Sequence, residues 1–202
     1  MSKGFIVLDP GHGEFNNKHT TKDGFYEGTQ NFILASFLRD ELISRGFSVE
    51  MTRKNVEDNP SLAERGELAG KMGALMFISI HSNAPGTSSS PEVYPTVRGV
   101  ETYYSISDEE KNAKIARQLN DAVVKTMNSL DRGIKTRRYP DNENLDFYGV
   151  IRAAAASGCK QAFLIEHGFH TNPEDSAFLQ DSNCLALLAK SEAEVIDKVF
   201  GE

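Results

Sequence analysis

Four side chains stand where their types and settings invite chemistry: His12 in LDPGHGE, Glu27 in YEGTQNFILA, His81 in SIHSNA and Glu166 in AFLIE. An imidazole on a Gly-flanked turn at the end of a strand suits metal binding or proton transfer, because the glycines let the backbone turn sharply and leave the ring accessible. A single histidine beside glycines also fits an ordinary turn, so the reading depends on its company. Two histidines and one carboxylate with an open fourth position form a catalytic zinc set, in which the metal brings the pKa of bound water to about 7 and polarises a carbonyl. Glu27 offers that carboxylate from the start of a long helix, although a glutamate there is also what the helix dipole favours. Glu166 ends an apolar strand, and desolvation lifts its pKa toward neutrality, where it can take a proton from water and return it to a leaving amine. The competing account pairs it with Arg137 or Arg152. Glu14 and Asp9 are rivals for the acid/base role, Asp9 fitting better as a hydrogen-bond partner of the GHG turn or of the histidine's second nitrogen.

The elements that must carry these residues alternate. FIVLD (5–9), FSVEM (47–51), ALMFISI (74–80), VETYYS (100–105) and AFLIE (162–166) read as strands, ALMFISI as a central one buried on both faces and ending at His81. A helix runs from about Glu27 to Arg45, with Phe32, Leu34, Leu38, Leu42 and Ile43 at helical spacing and Gly46 as its stop. Asn59-Pro60-Ser61 opens a second helix, and Asp108 a third, whose Ile115, Leu119, Ala122, Val123, Met127 and Leu130 form one apolar stripe. TNPEDSAFLQ is a short helix, and the last runs from about Asn183 to Phe200 with Leu185, Leu188, Ala189, Ile196 and Val199 inward. Residues 131–150 read as a polar surface crossing, with Lys135, Arg137 and Arg138 in a solvated loop, and residues 81–99 as a long loop of functional or mobile character. The pattern predicts one α/β domain over residues 1–202, with a largely parallel sheet, helices on both faces and ligands at the carboxyl ends of the strands. Three strand-like runs lead to His12, His81 and Glu166, which supports reading them together.

A chain of 202 residues, 39% apolar, suits one compact core without disulfides. The formal charge of -7 and pI of about 5.3 supply no basic field for phosphates, which excludes nucleic acid as an expected partner. Cys159 and Cys184 match no zinc knuckle or CxxC pair and are expected as reduced bystanders. No run approaches the roughly 20 apolar residues of a membrane span. The stretch MSKGFIVLDPGHGE is too short in apolar residues for a signal peptide, so the expectation is synthesis in the cytoplasm, with no unaided export.

LDPGHGE, the glutamate of YEGTQNFILA, the TR of MTRKNVEDNPSLAERGELA, SIHSNA, GVETYYS, DRGIK and IEHGFHTNPED occur in the order found in zinc-dependent N-acetylmuramoyl-L-alanine amidases of bacterial and phage cell-wall lysis, and the chain resembles that family over nearly its whole length. The resemblance implies a single-domain fold with a twisted, mostly parallel six-stranded sheet, one zinc ion, and hydrolysis of the amide joining N-acetylmuramic acid to L-alanine in peptidoglycan. It assigns His12, Glu27 and His81 to zinc, Glu166 to catalysis, and Asn83 to a position beside the metal that contacts substrate. His167 and His170 depart from the small or aliphatic residues that many relatives carry there, and read either as modulators of proton transfer or substrate binding, or as polar residues on the loop after the strand. His19 receives no role. The alternatives are another zinc hydrolase (a carboxypeptidase or deacetylase), a non-catalytic peptidoglycan-binding module, or a structural protein. A monomer is expected, acting on the wall after release by holin or mother-cell lysis, as an endolysin or sporulation-type autolysin does. Its acidic surface would be repelled by wall teichoic acids, leaving binding to the groove.

Overall fold

A computed structural model of the chain describes residues 2–16, 25–85 and 96–201; His19 and residues 86–95 of the expected long loop lie outside the described residues. Eight strands and six α-helices follow one another as β1 (Phe5–Pro10), α1 (Glu27–Ser44), β2 (Ser48–Met51), α2 (Leu62–Lys71), β3 (Met76–Asn83), β4 (Val100–Tyr104), α3 (Glu109–Met127), β5 (Asp131–Lys135), β6 (Arg138–Tyr139), β7 (Asn142–Asp146), α4 (Gly149–Ala156), β8 (Ala162–Phe169), α5 (Pro173–Gln180) and α6 (Ser182–Phe200) among the described residues. Six strands form one sheet in the order β2-β1-β3-β8-β4-β5, and β6 pairs with β7 in a separate hairpin. The pairs β2/β1, β1/β3, β3/β8 and β4/β5 are parallel and β8/β4 is antiparallel. This is the expected single α/β domain with a mostly parallel six-stranded sheet.

Side-chain alternation along the strands divides the core in two. Ile6 and Leu8, Met76, Ile78 and Ile80, and Phe163 and Ile165 face α1, α3, α5 and α6, whereas Val7, Phe77, Ala162 and Leu164 face α2 and α4. Burial of each such side chain contributes about 1.5–3 kcal/mol, enough to fix the strand register by which face each residue occupies. The thinner α2/α4 layer is the one the functional side chains look toward. Ser61 caps α2 in a capping box with Glu64, as the Asn59-Pro60-Ser61 cluster implies.

Several expectations change. Strands β3 and β8 run past His81 and Glu166 to Asn83 and Phe169. The polar stretch 131–150 is not a plain crossing: it contains β5, the sixth strand of the sheet, and the β6/β7 hairpin. Its polar residues conceal an edge strand held by backbone pairing to β4. Helix α4 follows it, placed by Ala154, Val150 and Ile151 in the second core. Ile43 and Leu130 are exposed, outside the apolar stripes assigned to them. Among the described residues no helix is long and apolar enough to cross a membrane. Both cysteines are free, Cys159 buried and Cys184 half-buried.

Candidate metal centre and active site

Sheet register does most of the assembly. His81 on β3 pairs with Glu166 on β8, and Glu166 pairs in turn with Glu101 on β4, so the three lie in one row across adjacent strands. Alternation from Phe77 and Leu164 turns His81 and Glu166 toward the α2/α4 face. Strand β1 stops at Pro10, level with Ile80 and one step short of His81, and the chain turns so that His12 reaches the same edge.

That turn differs from expectation in where the conformational strain lies. His12 itself is in the left-handed region, at φ 63°, and the flanking glycines are not. The glycines are there for close approach: a Cβ on Gly11 would stand 2.2 Å from the His81 ring. Gly28, the second residue of α1, presses against the same loop, since a Cβ there would lie 1.7 Å from the Gly13 carbonyl. Two buried arginines then grip the turn. Arg65 donates to Asp9 Oδ1 (2.8 Å) and to the carbonyls of Pro10 (2.9 Å) and His12 (2.8 Å). Arg53 donates to the Gly11 and Gly28 carbonyls at 3.4 and 2.7 Å, tying the turn to the start of α1.

With both ends fixed, Glu27 Oε2 lies 3.3 Å from His12 Nε2 and Glu27 Oε1 lies 3.2 Å from His81 Nδ1. The ligand atoms of His12, Glu27 and His81 all fall within 4.8 Å of one another, and the imidazoles meet edge to face at 4.9 Å. The Ser82 N–H donates to Glu27 Oε1 at 3.0 Å, which orients the carboxylate. Burial works to raise the Glu27 pKa, but hydrogen bonds and charge attraction from His12 and His81 prevail and hold it well below the usual carboxylate range. Burial likewise lowers His12, and the Glu27 contact outweighs it, so His12 is raised. Two imidazole nitrogens and one buried carboxylate oxygen, with the His12 and His81 rings partly open to solvent, match a three-ligand zinc site with a free position.

Glu166 stands beside this set without a compensating charge. Its Oε2 is buried and has no hydrogen-bond partner, and burial together with repulsion from Glu27 and Glu101 pushes its pKa well above the ordinary glutamate range. The cations considered for it are occupied: Arg152 donates to the Asp146 and Phe147 carbonyls, and Arg137 lies over the Phe147 ring. Among the described residues no cation pairs with Glu166. Asp9 accepts from Thr52 (2.6 Å), Ser79 (2.6 Å) and Arg65, so it anchors β1 to its neighbours and does not touch the His12 ring as expected. Among the described residues Glu14 offers only its carbonyl, to the Thr29 hydroxyl.

His167 is not a loop residue, because β8 continues to Phe169, whereas His170 does lie in the turn just after the strand; both are buried. Strand alternation turns His167 to the opposite face from Glu166, and the register of β3 and β8 shifts beyond that pair, with Gly168 at φ 74°. There His167 Nδ1 meets the His81 carbonyl at 3.1 Å and Nε2 meets Glu192 Oε1 at 3.2 Å. His170 Nδ1 lies 3.1 Å from the Ser82 carbonyl and 3.9 Å from Glu27 Oε2. Burial lowers the His170 pKa, which keeps it a neutral neighbour of the set. Asn83 donates to Glu101 Oε1 at 2.9 Å, one strand beyond Glu166. Sequence reasoning gave no role to Arg53, Arg65 or Glu101 and did not pair His167 with Glu192. Arg65 and Glu192 each occupy an inward position of a helix, alongside Ala69 and between Leu188 and Ile196, and a charge on an apolar stripe was the available sign.

The chain is 30% identical over 178 residues to N-acetylmuramoyl-L-alanine amidase LytC of Bacillus subtilis, covering 88% of this chain and 32% of LytC. It is 28% identical to the sporulation-specific N-acetylmuramoyl-L-alanine amidase of the same organism, covering 96% of this chain and 68% of that protein. It therefore spans about a third of LytC and about two thirds of the sporulation protein. The catalytic domain of CwlV, an N-acetylmuramoyl-L-alanine amidase from Bacillus (Paenibacillus) polymyxa var. colistinus, superposes with a TM-score of 0.77 at 26% identity, covering 100% of this chain and 99% of that domain. A family model described as N-acetylmuramoyl-L-alanine amidase matches residues 6–198, nearly the whole sheet and its helices, and the chain belongs to that family.

Proposed function

We propose that this chain is a zinc-dependent N-acetylmuramoyl-L-alanine amidase that cleaves the amide between N-acetylmuramic acid and L-alanine in peptidoglycan, with His12, Glu27 and His81 as metal ligands and Glu166 as the acid/base. The observation that carries the reading is the partnerless Glu166 carboxylate in register with His81. Its neighbours raise its proton affinity, and a cation at Glu27 would remove one of the two repulsions acting on it, bringing Glu166 toward the working pH. Zinc bound at the triad supplies Lewis acidity and positive charge where an oxyanion develops. Glu166 takes a proton from the attacking water as its oxygen bonds to the lactyl carbonyl carbon. The C–N bond then breaks as Glu166 gives that proton to the L-alanine nitrogen. Asn83 supports substrate at the edge of this site, through its tie to Glu101.

Metal analysis of the purified protein, with mass spectrometry of a peptidoglycan digest, tests the reading. New N-terminal L-alanine with intact glycan is expected. Release of acetate or of a C-terminal residue would assign a deacetylase or carboxypeptidase instead, and retention on insoluble peptidoglycan without any product would assign a binding module.

A further inference from the structure

The row His81, Glu166, Glu101 continues onto β5 as positive charge. Glu101, only 6% exposed, receives Asn83 Nδ2 and the Tyr103 hydroxyl on Oε1, at 2.9 and 3.1 Å, and Arg132 Nε (3.2 Å) and Lys135 Nζ on Oε2. Two cations thus share one carboxylate, leaving about one positive charge in a chain whose formal charge is -7. Arg132 is 38% exposed and its guanidinium carbon lies over the Phe169 ring, 4.8 Å from the centroid. Among the described residues only its Nε is engaged in hydrogen bonding, so the terminal nitrogens of the fork face outward.

The opposite end of the site has another character. A cleft of about 310 Å³ beside His12 and His81 is lined by Asn16, Asn59, Ser61, Leu62 and Val150, and by Arg65, whose charge is already matched by Asp9. Among the described residues it offers amides, a hydroxyl and apolar surface, and no unmatched charge.

A substrate of this bond has the same asymmetry. The lactyl carboxyl is consumed in the amide, so the sugar is neutral. The peptide carries its first free carboxylate on the second residue, a D-glutamate linked onward through its γ-carboxyl. That carboxylate stands about 7 Å from the scissile nitrogen, two residues of extended chain. Strands β4 and β5 lie about 5 and 10 Å from β8, and Arg132 reaches back over β4, so the spans agree. We propose that Arg132 and Lys135 form the subsite for this α-carboxylate, and that the stem peptide runs across β4 and β5 while the sugar occupies the cleft by Asn59. The inference rests on the amidase reading and adds a direction and a charge preference to it.

The test uses zinc-loaded protein and two soluble substrates, N-acetylmuramoyl-L-alanyl-γ-D-glutamyl-L-lysine and the same compound with the α-carboxylate amidated. Wild type should favour the carboxylate form by roughly tenfold in kcat/KM, about 1.4 kcal/mol, carried mostly by KM. Arg132→Gln and Lys135→Gln should each collapse the ratio of kcat/KM for the carboxylate over the amidated substrate toward one, and a loss common to both substrates reports the freed Glu101 instead. Equal treatment of both substrates by wild type, or equal losses on both in the variants, overturns the subsite. The wild-type comparison stands even if a variant fails to fold. Cleavage of neither substrate by zinc-loaded wild type would instead overturn the amidase reading beneath it.

Discussion

Arg65 is the side chain on which the position of His12 most depends. A non-glycine residue in the left-handed region costs about 1–2 kcal/mol, so His12 at φ 63° needs its neighbours held. Arg65 holds them with one planar fork: Nη1 serves Asp9 and Pro10, Nη2 serves the His12 carbonyl and Asn59, and Nε serves the Pro60 carbonyl at 2.9 Å. Arg65→Lys keeps the charge beside Asp9 but offers one nitrogen in place of three. Losing two or more charge-assisted bonds should cost about 2–4 kcal/mol, since hydrogen bonds to charged groups are worth about 1.5–3 kcal/mol each and a lysine recovers part. At this chain length that is a fall in Tm of roughly 5–15 °C. Arg65→Met should cost about 3–5 kcal/mol by stranding the fully buried Asp9, and Asp9→Asn in the same chain should restore much of that. Zinc affinity, read by competition with a chromophoric chelator, separates positioning from stability. R65K and the R65M/D9N pair should both bind zinc about 10–100-fold more weakly, because neither holds the His12 carbonyl. If the pair regains stability and also binds zinc as tightly as wild type, the turn holds itself and the reasoning is wrong.

Three further outcomes follow from the same geometry. Glu166→Gln should lower kcat by about 10²–10⁴-fold, the usual worth of a general acid/base, with zinc content unchanged, whereas His81→Ala should lose metal and activity together; metal analysis beside single-turnover assays decides it. In the zinc-free protein, Glu166 keeps its proton when folded at pH values where the unfolded chain has lost it, so its cost to stability is absent below about pH 4.5 and grows as pH rises toward the raised folded value. The Tm of Glu166→Gln, measured without zinc, should therefore gain on wild type between pH 4 and pH 8, and a constant difference would contradict the assigned burial. Burial pushes the Cys159 thiol up to about 11, so iodoacetamide at pH 8 should label Cys184 in the native protein well before Cys159, as peptide mapping would show.

What the sequence disclosed and what it hid divide along physical lines. Apolar runs that must be buried on both faces, such as 76–80, announce themselves as central strands, and the residues just past them were found as chemistry because a histidine or glutamate there has no packing role. Strand β5 escaped because an edge strand is held by backbone bonds to one neighbour, and Asp131, Arg132 and Lys135 carry no apolar rhythm. Helix α4 escaped because its run of alanines packs by being small: a Cβ on Gly66 of α2 would stand 2.5 Å from the Ala153 Cβ, so the helices meet nearly backbone to backbone. Buried charges were visible only as misfits on helical stripes, and their partners, Asp9 for Arg65 and His167 for Glu192, lie 56 and 25 residues away in the chain.

The two kinds of residue depend on each other. His81 and Glu166 are placed by the sheet: burial of Phe77 and Leu164 in the α2/α4 core fixes the face they share, and the β3/β8 register sets them side by side. His12 and Glu27 belong to no shared ladder. They meet because Arg53 and Arg65 bind the carbonyls of the turn and of the α1 start, and because Gly11 and Gly28 let backbone pass where a side chain would collide. The sheet therefore supplies the proposed base and one proposed ligand at no further cost, while the other two proposed ligands require dedicated buried residues, Arg53 and Arg65, that stand outside the triad. Substitutions that loosen Arg65 should consequently spare the geometry of Glu166 and fall on metal affinity, and that difference is what distinguishes a held turn from a generally weakened fold.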